Sequence, residues 1–124
     1  MSSKNIPFIE MPGEQLRHLD SNNFYFGKSV TNYMLEADFI NGEWTNAVIK
    51  KYEPLQLEPS TAVFHYGQSI FEGIKAYKGE KDQVVIFRPQ ENYKRFNTSA
   101  ERMQMPTVPE WLFMDGMKQL VKIE

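Results

Sequence analysis

Asn41-Gly42, set between two largely apolar stretches, limits most strongly what this chain can fold into. Both residues tolerate positive φ, so a two-residue hairpin turn is expected there and the flanking segments must pair antiparallel. The outgoing strand reads as Met34–Ile40 and the return strand as Glu43–Tyr52, with Trp44 and Val48 turned to the core. A second pair follows: Ile74–Lys78, a polar turn over Gly79–Gln83, and Val84–Arg88, β-branched and apolar enough to be buried. Pro89 then opens a helix, where its missing N–H costs nothing. That helix is predicted to run to about Arg102 with Tyr93, Phe96 and Ala100 on one face. Pro106 closes the stretch. A last helix, from about Pro109 to the chain end, places Phe113, Met117, Leu120 and Val121 inward. Hairpin strands followed by helices indicate an α+β fold with a mainly antiparallel sheet and flanking helices.

The remaining segments are less regular. Residues 1–32 hold Pro7, Pro12, Gly13 and Gly27 and read as an extended arm, with a short helix near Glu14–Leu19. Pro54 and Pro59 bracket a connection. His65-Tyr66-Gly67 leads into a short helix at Gln68–Glu72 that ends near Gly73. The final helix still shows its apolar stripe at Val121 and Ile123, with no capping glycine after it. The expectation is one domain over 1–124, cut within a larger fold.

Composition removes several functional classes. The 124 residues suffice for one domain, and nine Phe, six Tyr and two Trp argue against disorder. A formal charge of −2 gives no reason to expect nucleic acid or an anionic membrane as partner. The basic pairs Lys50-Lys51 and Lys94-Arg95 read as solvated surface. Without cysteine there is no disulfide, thiolate metal site or cysteine nucleophile. His18 and His65 have no carboxylate cluster at metal-ligand spacing, so no metal is expected. The first residues carry no apolar signal core, and no apolar run reaches the ~18 residues of a membrane helix. The cytoplasm is the expected location.

Two segments carry chemistry. In Val84-Val85-Ile86-Phe87-Arg88-Pro89 an apolar strand delivers an arginine directly before a helix. The guanidinium fork suits phosphate, although spacing alone favours an arginine paired with a nearby carboxylate such as Glu91, or simply solvated. In His65–Tyr77, Tyr66 and Phe71 flank a turn rich in small residues, where they are either pocket walls or ordinary core aromatics. Lys75 resembles a lysine able to hold a carbonyl cofactor. Its place in alternation with Ile74 and Ala76 puts it instead on the solvent face of a strand.

The strings His65-Tyr66-Gly67, Phe71-Glu72-Gly73-Ile74-Lys75-Ala76-Tyr77, Phe87-Arg88-Pro89 and the helix Asn92–Met105 together resemble the class-IV, pyridoxal-phosphate-dependent aminotransferases. Phe26-Gly27 and Tyr33-Met34-Leu35 fit the longer arm of the branched-chain type. The resemblance covers about Asn23 to the end. It implies the small domain of the D-amino-acid-aminotransferase-like fold (fold type IV), and transfer of an amino group from leucine, isoleucine or valine to 2-oxoglutarate through pyridoxal 5'-phosphate in a homodimer. It also implies that Arg88 binds the cofactor phosphate, and that Phe26, Tyr66 and Phe71 line the pocket for the branched side chain. The family's cofactor lysine, in a Lys-x-Gly-Gly-Asn-Tyr-like segment, has no match within these residues. No catalytic residue is therefore assigned, and the chain alone is expected to be inactive.

Two alternatives remain. A relative acting on D-amino acids or aminodeoxychorismate would carry a Gly-Asp-Gly-like string where this chain has Tyr66-Gly67-Gln68-Ser69. A non-catalytic assembly module built from half of an aminotransferase is the other.

Overall fold

The structure, a computed structural model, describes residues 4–17 and 23–124. Its elements are β1 (Tyr33–Ile40), β2 (Glu43–Lys51), α1 (Ala62–Tyr66), β3 (Ala76–Lys78), β4 (Val84–Ile86), α2 (Pro89–Arg102) and α3 (Gly116–Ile123). Strands pair antiparallel as β1–β2 and β3–β4, each a two-stranded sheet. The fold is α+β. The chain divides into two compact units, Met1–Pro54 with Asp115–Glu124, and Leu55–Met114.

In the first unit the hairpin turns at Asn41 (φ 53) and Gly42 (φ 86), as the Asn-Gly pair requires. The expectation of Trp44 and Val48 on one inward face is corrected. The register slips between Glu36 and Asp38, where β2 carries one extra residue and Asn46 adopts φ 54. The Asn46 amide steadies this bulge by donating to Asp38 Oδ2 at 3.0 Å. One inserted residue flips all later side chains to the opposite face. Trp44, packed edge-on against Phe39 at 5.4 Å, thus shares its face with Ile49, which is wholly buried, while Val48 is only half-buried.

The arm is extended and attached. Ile9 donates to Ile49 O (2.9 Å) and Ile49 to Pro7 O (2.8 Å), which adds a short parallel bridge to β2. Gln119 of α3 completes the clamp: its amide donates to Ile6 O (2.7 Å) and accepts from Ile6 N (2.9 Å). Ile6, Met11, Tyr33 and Ile49 form this unit's buried core. Where a helix was expected at Glu14–Leu19 there is one 3-10 turn, Gly13–Gln15. Positions 18 and 19 lie outside the described residues.

In the second unit α2 begins and ends as predicted. Ala100 is buried, and Tyr93 and Phe96 each pack on Phe113 at 5.5 Å. The helix closes with Gln104 left-handed (φ 53) and Met105 N–H on Ala100 O at 2.8 Å, ahead of Pro106. Asn97 holds the return by binding both N and O of Val108 (2.8 and 2.9 Å).

Three further expectations are corrected, the first two in the second unit and the third along the segment that runs from it into α3 of the first. The short helix is α1, upstream of Gln68–Glu72, because Gly67 (φ 60, ψ 26) caps it left-handed and His65 Nε2–H folds back on Pro59 O at 2.8 Å. The strands of the second hairpin are only three residues each, and Val84 and Val85 are exposed rather than buried. The last helix opens as a π-type turn, Trp111–Asp115, before α3. That wider turn shifts the inward face, so Leu112, Met114 and Gly116 are buried while Phe113, Met117, Leu120 and Val121 are half-buried.

Candidate functional site

Arg88 is the N-cap of α2, in a left-handed conformation (φ 46, ψ 51). Strand β4 ends at Ile86, two residues earlier, so the arginine belongs to the strand-to-helix corner rather than to the strand. Pro89 at the first helical position fixes the direction of the exit. The nearest carboxylate is Glu91, whose Oε1 is held by Lys94 Nζ at 3.1 Å and stands 3.9 Å from Arg88. The ion pair favoured by spacing alone is thus long, and both side chains are more than half exposed. A pair of that kind is worth little. The guanidinium fork is open to an anion arriving from solvent.

Tyr66 ends α1 and is 84% exposed; Phe71 is 89% exposed. Neither ring packs into the core formed by the described residues. Phe26, at 98%, stands on a turn in the first unit, where Lys28 and Ser29 donate to Tyr25 O (3.1 and 2.9 Å) and Ser29 Oγ accepts from Tyr25 N (3.0 Å). Tyr66, Phe71 and Arg88 belong to the second unit and Phe26 to the first. Lys75 is exposed and precedes β3 instead of lying within it.

The segment from Gln68 to Lys75 alternates: Gln68, Ile70, Glu72 and Ile74 are half-buried, while Ser69, Phe71, Gly73 and Lys75 are exposed. It is therefore extended, with one face turned inward. The inward face is clipped to α2 at both ends. Gln68 Nε2 donates to Met103 O at 2.9 Å. Glu72 accepts from Arg95 Nε (2.6 Å) and NH2 (2.8 Å), and from Asn92 Nδ2 (2.7 Å). The Glu72 side chain is 7% exposed, and the Arg95 fork, then the Asn92 amide, holds its carboxyl down to about 2. The same pairing raises Arg95.

Glu72, Arg95 and Asn92 are the residues that the sequence reading missed. Arg95 lies on solvated surface beside Lys94, as expected, but its fork also makes a two-pronged contact with Glu72. The available signal was the placement of Asn92 and Arg95 four and seven residues after Arg88, on one helical face.

Among the described residues no group of acidic, histidine or cysteine side chains could hold a metal ion, and no helix is long and apolar enough to cross a membrane.

No protein-family model matches the chain. Individual proteins do. Branched-chain-amino-acid transaminase 1 of Bacillus subtilis is 45% identical over 106 residues, covering 85% of this chain and 30% of the relative. Branched-chain-amino-acid aminotransferase 2 of the same organism is 38% identical over 117 residues, 94% of this chain and 32% of the relative. The branched-chain-amino-acid aminotransferase of Mycolicibacterium smegmatis is 43% identical over 100 residues, 80% and 27%. The match extends far beyond the few strings around Arg88 and Phe71. The chain spans about 30% of the length of these relatives, and across that span its sequence is similar to branched-chain amino-acid aminotransferases.

Proposed function

We propose that residues 1–124 form the small-domain portion of a pyridoxal 5'-phosphate-dependent branched-chain aminotransferase, and that these residues alone do not transaminate. The observation that carries this reading is the 38–47% identity to such proteins across most of the chain. The residues present fit the cofactor: Arg88 offers a charged fork at a helix start, with its nearest carboxylate already engaged by Lys94. When bound, pyridoxal phosphate supplies the electron sink that amino transfer requires. Arg88 would hold its phosphate. Phe26, Tyr66 and Phe71 would wall the place of a leucine, isoleucine or valine side chain and exclude water from it. The amino acceptor would be 2-oxoglutarate, and the working form a homodimer in the cytoplasm.

A hybrid tests this, with the chain replacing the matching segment of Bacillus subtilis transaminase 1. The hybrid should move the amino group of leucine to 2-oxoglutarate, while the chain alone yields no glutamate above background. Arg88→Ala in the hybrid should weaken cofactor retention roughly tenfold or more, the effect of losing a charge-assisted contact. Turnover by the chain alone, a folded but inert hybrid, or unchanged cofactor affinity in the variant would each refute the corresponding part.

A further inference from the structure

Between Gly67 and Ala76 the chain is extended yet joins no strand ladder, so side chains hold it in place. One clip is neutral, from Gln68 to Met103 O. The other is a charged, two-pronged contact from Arg95 to Glu72, reinforced by Asn92. Phe71 lies next to Glu72 and is 89% exposed, so its own packing does little to fix it. Asn92 and Arg95 lie on α2, the helix that Arg88 caps. Glu72 thus joins the segment bearing Phe71 to the helix bearing the phosphate-binding candidate.

We propose that Glu72, gripped by Arg95 and Asn92, is a positioning residue that fixes segment 68–75 on α2 and so sets where Phe71 meets an apolar substrate side chain. This rests on the proposed aminotransferase reading for its substrate, but not for the latch itself. Glu72 touches no reacting atom in this scheme. Its effect passes through Phe71, and a displaced aromatic wall weakens discrimination without removing the chemistry.

The first test uses the full 124-residue chain. Backbone 15N order parameters for 68–75 should be near 0.85 in the unsubstituted chain and fall below about 0.6 in Glu72→Gln and Arg95→Lys, with β1 and β2 unaffected. Lysine keeps the charge but lacks the fork, so its failure would identify the two-pronged geometry as the cause. Asn92→Ala, which removes one of the contacts, serves if the others unfold the unit. The second test uses the hybrid. Glu72→Gln should raise KM for leucine roughly tenfold and KM for glutamate less than twofold, with kcat and cofactor affinity nearly unchanged. Unchanged order parameters, or equal KM shifts for both substrates, would overturn the proposal. Should the unsubstituted hybrid fail to process leucine, the aminotransferase reading falls, while the order parameters still decide whether Glu72 positions the segment.

Discussion

Glu72 also gives the chain a defined acid response. Its folded-state value, about 2, lies below the ordinary 4.5 because of Arg95 first and Asn92 second. A carboxyl depressed in this way contributes stability above pH 4.5 and loses it as pH falls through about 2. The full shift would correspond to roughly 3 kcal/mol. Arg95 is 70% exposed, however, and water around its outer face screens the pair, leaving about 1 kcal/mol. In urea, with a slope of ~1–2 kcal/mol per molar for a small unit, that is a midpoint difference of roughly 0.5–1 M. The assay compares the unsubstituted chain with Glu72→Gln, following Trp111 of the second unit by fluorescence. At pH 7 and pH 5 the variant should unfold at lower urea. The gap should shrink below pH 4.5 and close near pH 2. A gap that persists unchanged at pH 2 would mean that the glutamine disturbs packing instead of removing a charge. A gap already closed at pH 4 would mean that Arg95 does not hold the carboxylate.

Three further substitutions probe the frame that carries the site. Ile49→Ala empties the most buried position of the first unit and should cost roughly 3 kcal/mol in urea unfolding; a loss under ~1 kcal/mol would show that this core is not closed. Gly67→Ala forces a side chain onto a left-handed cap (φ 60) and should destabilise the second unit by about 1 kcal/mol, although nothing lies within 4 Å of the new Cβ, so an unchanged midpoint would remove the strain argument. Gln104→Gly should act in the opposite direction and raise the midpoint by ~0.5–1 kcal/mol, because Gln104 bears the left-handed closure of α2 without glycine's freedom.

Elements whose signal is local were legible in the sequence. The Asn41-Gly42 turn needs two specific residues, and Pro89 with Pro106 brackets α2; both appear as read. Where a single inserted residue or a changed helical pitch decides the outcome, alternation and heptad-like spacing fail. The bulge at Asn46 moves Ile49 into the core, and the π-type turn at Trp111–Asp115 moves Leu112 and Met114 inward. The π-type turn has no composition signal, because leucine and methionine sit comfortably in an ordinary helix; the bulge has a weak one, since asparagine is uncommon in strands and tolerates positive φ.

The site shows the same division, for a different physical reason. Arg88, Tyr66 and Phe71 attract notice because an arginine beside a proline and aromatics beside glycines are uncommon arrangements. All three are exposed in the structure, and exposure is what the proposed contacts with a ligand require. Glu72 is the reverse. Its contacts reach Asn92 and Arg95, twenty and twenty-three residues away, and no periodicity links an extended segment to a helix. Such a pair becomes visible only when the segment's alternation is read together with the helix face it covers. Gln68, Ile70, Glu72 and Ile74 form one row, and the charged member of that row demands a partner because it is nearly buried. That requirement could have been posed from the sequence once the segment was read as extended. Read as the last residue of a short helix at Gln68–Glu72, the carboxylate calls for no such partner, and that reading conceals its contacts with Asn92 and Arg95.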